Sequence, residues 1–91
     1  MKKNNNKKQI LAEFRQIPGV GKIIAEDFWN MGLRSLKDLK NADPDILYKD
    51  LCILQKHKVD RCMLYVFRCA IYFASTKNPE PHLLKWWNWK Y

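Results

Sequence analysis

The run Ile17-Pro18-Gly19-Val20-Gly21-Lys22 constrains this chain more than any other, because it reads as a short turn between two stretches of helical period. In the segment before it, Gln9 to Ile17, apolar side chains fall at Ile10, Leu11, Phe14 and Ile17, a helical rather than a strand spacing. Pro18 has no amide hydrogen and pushes Ile17 out of the α region, so the first helix must stop there. After the turn, Ile23, Ile24, Phe28 and Met31 form a second apolar stripe, and Gly32 supplies the stop. The turn is therefore short and fixed.

Gly19 and Gly21 accept backbone angles closed to other residues, and without a Cβ they let an anion approach the main chain. The amides of Gly21, Lys22 and Ile23 are expected to be unpaired donors at the start of the second helix, at the positive end of its dipole. Val20 is expected to turn inward and anchor the turn, while Lys22 adds a full charge to the same place. The plainer alternative is a tight interhelical turn with glycines at helix ends. Against it stand the flanking helices and the lysine after the second glycine. Ile17 to Ala25 resembles the hydrophobic-Pro-Gly-Val-Gly-x-x-x-Ala pattern of the helix-hairpin-helix motif, which implies a grip on nucleic-acid phosphates.

The charge balance agrees with a polyanionic partner: 17 Lys and Arg against nine Asp and Glu give a formal charge of +8 over 91 residues. An anionic membrane is the competing polyanion. No apolar run approaches the roughly 20 residues of a spanning helix, and no signal peptide opens the chain, so a cytoplasmic protein is expected and no membrane partner. The length suits one small domain with a single core and no separate catalytic domain. Residues 1–8, with four lysines and three asparagines, read as a flexible basic arm, and residues 9–91 as the folded domain. Such an arm is either a solvated tail or a source of extra phosphate contacts from Lys7 and Lys8.

Beyond Gly32, Ser35 and Asp43 are expected to cap two further helices, with Pro44 in the first helical position of the second. Leu36 and Leu39 are expected to face the core from one, and Ile46, Leu47, Leu51 and Leu54 recur at helical spacing in the other, which ends near Gln55. The longest helix is expected from about Val59 to Ser75, and a last short one over His82 to Trp87. No segment reads as a strand. The fold expected is all-α: a compact bundle of five or six short helices in a SAM-like topology. The order resembles two helix-hairpin-helix units, with a degenerate second hairpin at Lys56-His57-Lys58 that lacks glycines.

Cys52, Cys62 and Cys69, with His57 between, invite a zinc reading. Cys62 and Cys69 are separated by about 10.5 Å of helix, too far for one ion, and their apolar neighbours favour reduced core thiols. No metal and no cofactor is expected. His57 and His82 lack a carboxylate or nucleophile partner and are expected to be exposed. Trp86, Trp87 and Trp89, interleaved with Lys85 and Lys90, either stack on unpaired bases or fold back as a lid on the core. The large area of each ring favours the lid, and Trp29 is expected in the core for the same reason, with a place flanking the hairpin as the alternative.

The run Asp60 to Ala74, followed by Leu84-Lys85-Trp86-Trp87-Asn88-Trp89-Lys90, resembles the small bacterial pathogenicity-locus family, whose members are sometimes labelled mitomycin resistance proteins. The likeness spans roughly Phe14 to Lys90. It implies a helix-hairpin-helix protein of the bacterial cytoplasm.

Together these readings point to a non-sequence-specific DNA-binding protein, with an accessory role in DNA repair or processing as the expected setting. Its site would be Gly19, Val20, Gly21, Lys22 and Ile23, with Arg15, Arg34, Lys7 and Lys8 adding charge. A base-excision enzyme is the catalytic alternative. Glycosylases of that kind carry their Schiff-base lysine two residues after the last glycine of the hairpin, where this chain has Ile23, so a non-catalytic role is expected. A protein-interaction or oligomerisation module using the Trp-rich C-terminal surface is the third reading.

Overall fold

The computed structural model describes residues 7–90. Five helices follow one another: α1 (Lys7–Phe14), α2 (Lys22–Asn30), α3 (Leu36–Lys40), α4 (Pro44–Gln55) and α5 (Cys62–Ser75). Two 3-10 turns, Pro81–Leu84 and Trp86–Trp89, close the chain. Among the described residues there is no strand, and no helix is long and apolar enough to cross a membrane.

α5 is the centre of the packing, in contact with α3, α4 and both 3-10 turns, while α1 pairs with α2. Its mean composition explains this: Leu64, Val66, Phe67, Cys69 and Ala70 are all buried. Phe28 of α2 joins the two halves, its ring 5.2 Å from Phe14 of α1 and 5.6 Å from Phe67 of α5. Edge-on and tilted contacts at these separations add to the area the rings bury.

The local start signals act as expected. The Ser35 hydroxyl accepts from the amide of Asp38, and Oδ1 of Asp43 accepts from the amides of Asp45 and Ile46, with Pro44 opening α4.

Other expectations are corrected. The helix before the turn ends at Phe14 rather than Ile17. The amides of Gln16 and Ile17 reach back only three residues, to Glu13 and Phe14, because Pro18 holds Ile17 outside the helical region and tightens the last turn. Of the basic arm, residues 1–6 lie outside the described residues, but Lys7 and Lys8 open α1. Ile23 leaves the expected core stripe and is 78% exposed. Ala25 and Phe28 are the buried residues of α2, and Ile23 sits too far round the helix to join them.

On α4 only Leu47 and Leu51 are buried; Ile46 and Leu54 face outward. Cys62 is exposed and not a core thiol, whereas Cys69 is buried and Cys52 half-buried. Cys62 begins α5 three residues later than expected, because Oδ1 of Asp60 accepts its amide at 2.8 Å and sets the helix start there. Val59 precedes that start and remains buried as a loop anchor. The last short helix is two 3-10 turns. Trp29 is half-buried rather than in the core.

Candidate nucleic-acid interface

Between α1 and α2 the chain reverses over Ile17 to Val20. The amide of Val20 donates to the carbonyl of Ile17 at 3.0 Å, Pro18 holds the second position, and Gly19 has φ +86°. That is the residue order and the positive φ of a type II turn. Ile17 and Val20 are both buried, so the turn is pinned from its two ends, with Pro18 half-buried between them.

The two glycines differ in what holds them. Gly19 is required twice, by its positive φ and by Trp86, whose Cδ1 would lie 3.1 Å from a Cβ placed there. Gly21 is required by neither: its φ of −97° and ψ of −163° are open to any residue, and a Cβ would meet nothing within 4 Å. It is the N-cap of α2 but offers no side chain to the amides that follow, and no acidic residue lies in the first turn. The positive end of this helix is therefore bare.

Beside it, Lys8, Arg15 and Lys22 line a cleft of about 270 Å³ whose remaining lining is Leu11 and Ala12. Lys8, Leu11 and Ala12 recur at helical spacing along one face of α1. Arg15 continues that face in the turn just after it, its amide still bonded to the carbonyl of Leu11, and small Ala12 leaves the cleft open between the two cations. Leu11 and Ala12 were not among the expected site residues, although this spacing is the signal that would find them. Exposed Ile23 follows Lys22 on the rim of the same helix start.

Lys7 and Arg34, expected as further charges, are occupied within the protein. Nζ of Lys7 pairs with Glu26 at 3.2 Å and lies 5.4 Å from the centre of the Trp29 ring. The Arg34 guanidinium stacks 3.7 Å from that ring centre and donates to the carbonyls of Trp29 and Leu33. Trp29 thus gathers two cations. Further along α2, burial raises the carboxyl of Asp27, opposed by a hydrogen bond from Gln55.

The turn between α4 and α5 makes a useful contrast. Lys56 adopts the left-handed region with φ 60°, the Tyr48 hydroxyl donates to the carbonyl of Val59, and Val59 is buried as Val20 is. His57 and Lys58 are exposed, as is Arg61. Here the helix start already holds an anion of its own, since the Asp60 carboxylate accepts the amide of Cys62. That hydrogen bond lowers the Asp60 carboxyl, while Asp60 in turn raises the Cys62 thiol.

The C-terminal tryptophans divide between roles. Trp86 packs on the core and covers Gly19. Trp89 is 5.4 Å from the Tyr72 ring; its indole N–H donates to the carbonyl of Leu83 and its own carbonyl accepts from Arg68. Trp87 is the exposed one. His82 is exposed as expected. Among the described residues no three His, Cys, Asp or Glu gather as a metal site would require.

No curated protein and no solved structure matches the chain. A family model described as Cdd1, pathogenicity locus, matches residues 7–91, and this chain therefore belongs to the pathogenicity locus family.

Proposed function

We propose that this protein binds the phosphate backbone of DNA without sequence specificity, through a helix-hairpin-helix formed by α1, the Pro18–Gly21 turn and α2. The observation that carries the reading is the bare start of α2. Gly21 leaves open space before uncapped amides, and three cations line the adjoining cleft. A phosphate oxygen accepts from first-turn amides while Lys22 neutralises it, and Lys8 and Arg15 each take a neighbouring phosphate along the strand. Contacts limited to phosphates carry no base information, so sequence independence follows.

The second turn works as a structural counterpart rather than a second grip, because Asp60 fills the place an incoming phosphate would need. Lys7 and Arg34 serve the local structure around Trp29. The role is that of a non-catalytic clamp in the bacterial cytoplasm, an accessory factor in DNA repair or processing.

The test is fluorescence anisotropy with a labelled duplex at low salt, comparing the natural chain with Gly21→Glu. Binding that weakens about tenfold or more in the variant supports the site. Absence of binding, or equal binding by both proteins, refutes it.

A further inference from the structure

α4 buries Leu47 and Leu51 against the bundle and turns a second apolar stripe outward. Ile46 is 56%, Ile53 73% and Leu54 49% exposed, and Ile46 and Ile53 are two turns apart on one face of the helix. Between them on that face lie Lys49 and Asp50, both exposed. At the C-terminal half of the stripe, Asp50, Ile53 and Leu54 combine with Asn30 and Met31 from the end of α2 to line a cleft of about 240 Å³. The face therefore has a knob, Ile46, at one end and a hole at the other.

We propose that this face docks a second copy of the same chain, with the two α4 helices antiparallel about a two-fold axis that passes between Lys49 and Asp50. A two-fold contact requires a surface to be complementary to itself under reversal, and this one is. Reversal about the midpoint of Lys49 and Asp50 brings Ile46 of each copy to Ile53 and the hole beside it. The same operation sets Lys49 of each copy against Asp50 of the other. It also brings the acidic start of α4, Asp43 and Asp45, towards the basic end, Lys56 and Lys58, of the facing helix. Among the described residues the only ion pair within the chain is Lys7–Glu26, so the charges on this face remain available to a partner.

The hole lies at the C-terminal end of α2 and the bare amides at its N-terminal end, separated by about 13 Å of helix. Pairing therefore does not require the region around Gly21. One helix pair with its edges is smaller than the roughly 1,200–2,000 Å² of a standard interface, which makes this a weak, concentration-dependent dimer.

Sedimentation velocity on the full chain tests it, from about 10 μM to about 1 mM and at about 0.15 M salt, where repulsion between two basic chains is largely screened. The expected result is a weight-average mass that rises with concentration from 10.9 kDa towards twice that value. Ile53→Glu, at an exposed position, weakens association about tenfold or more. Lys49→Glu weakens it by juxtaposing two acids across the axis, and the exchanged pair Lys49→Glu with Asp50→Lys restores it. Circular dichroism checks that each variant keeps its helices. A mass of one chain at every concentration overturns the proposal, as does association that Ile53→Glu leaves unchanged or a charge exchange that fails to restore pairing between folded variants.

Discussion

Trp86 lies so close over Gly19 that a Cβ on the glycine would come within 3.1 Å of its Cδ1. The contact joins the C-terminal 3-10 turn to the turn between α1 and α2, and it uses the absence of a side chain on a residue whose φ of +86° already favours glycine.

Gly19→Ala thus meets two penalties, the left-handed backbone and the indole. Its expected cost is about 1–3 kcal/mol. In a Trp86→Ala background the same change retains only the backbone part, about 1–2 kcal/mol. Urea denaturation of the two single variants and the double variant gives the coupling directly. Strictly additive costs would mean that the indole does not press on the turn.

Gly21 is the opposite case, a glycine that neither backbone nor packing requires. Because its φ and ψ suit any residue and nothing stands within 4 Å of its missing Cβ, Gly21→Ala and Gly21→Glu are expected to change stability by no more than about 0.5 kcal/mol. Under the proposed function Gly21→Glu nevertheless weakens duplex binding, through a carboxylate held where the phosphate belongs. Thermal melts alongside anisotropy check this. A variant that both unfolds and loses binding would place Gly21 with the structural residues.

Local chemistry made much of this fold legible in the sequence. Ser35, Asp43 and Pro44 announce helix starts because a cap interacts with residues two or three positions away. Val20 could be assigned inward because the glycines on either side leave it as the anchor. The phase of the α2 stripe was not legible, since Ile23, Ile24 and Ala25 form a continuous apolar run and only packing on Phe14 and Phe67 selects which side is buried. Nor was the choice between the tryptophans, because Trp86 meets the turn from the far end of the chain. Exposure of Cys62 depends on Asp60 starting α5 late, and an apolar period cannot report that.

The cations divide by what already holds them. Lys8, Arg15 and Lys22 line the cleft, and if each neutralises one phosphate, its change to Gln lowers the slope of log affinity against log salt by about 0.9. Arg34→Gln is expected to leave that slope unchanged and to cost about 1 kcal/mol of stability, because it removes the stacking on Trp29 and the bonds to two carbonyls. Affinity measured across a salt series, with urea denaturation of each variant, distinguishes the two groups. A reduced slope for Arg34→Gln would return that residue to the binding surface.

Asp60 and Cys62 supply a prediction independent of DNA. The Cys62 amide holds the Asp60 carboxyl below its ordinary range, so the folded state binds this proton less readily than the unfolded chain. The stabilisation is present above the unfolded carboxyl value of about 3.9 and is lost as pH falls through the lower folded value. Asp60→Asn should therefore be less stable than the natural chain at neutral pH, with the gap closing as the solution is acidified below the ordinary carboxyl range. The same carboxylate holds the exposed Cys62 thiol protonated, chiefly through their hydrogen bond. Since the thiolate is the nucleophile, Asp60→Asn should speed alkylation of Cys62 by iodoacetamide near pH 8. Peptide mass mapping separates that site from buried Cys69, and an unchanged Cys62 rate would show that Asp60 does not govern the thiol.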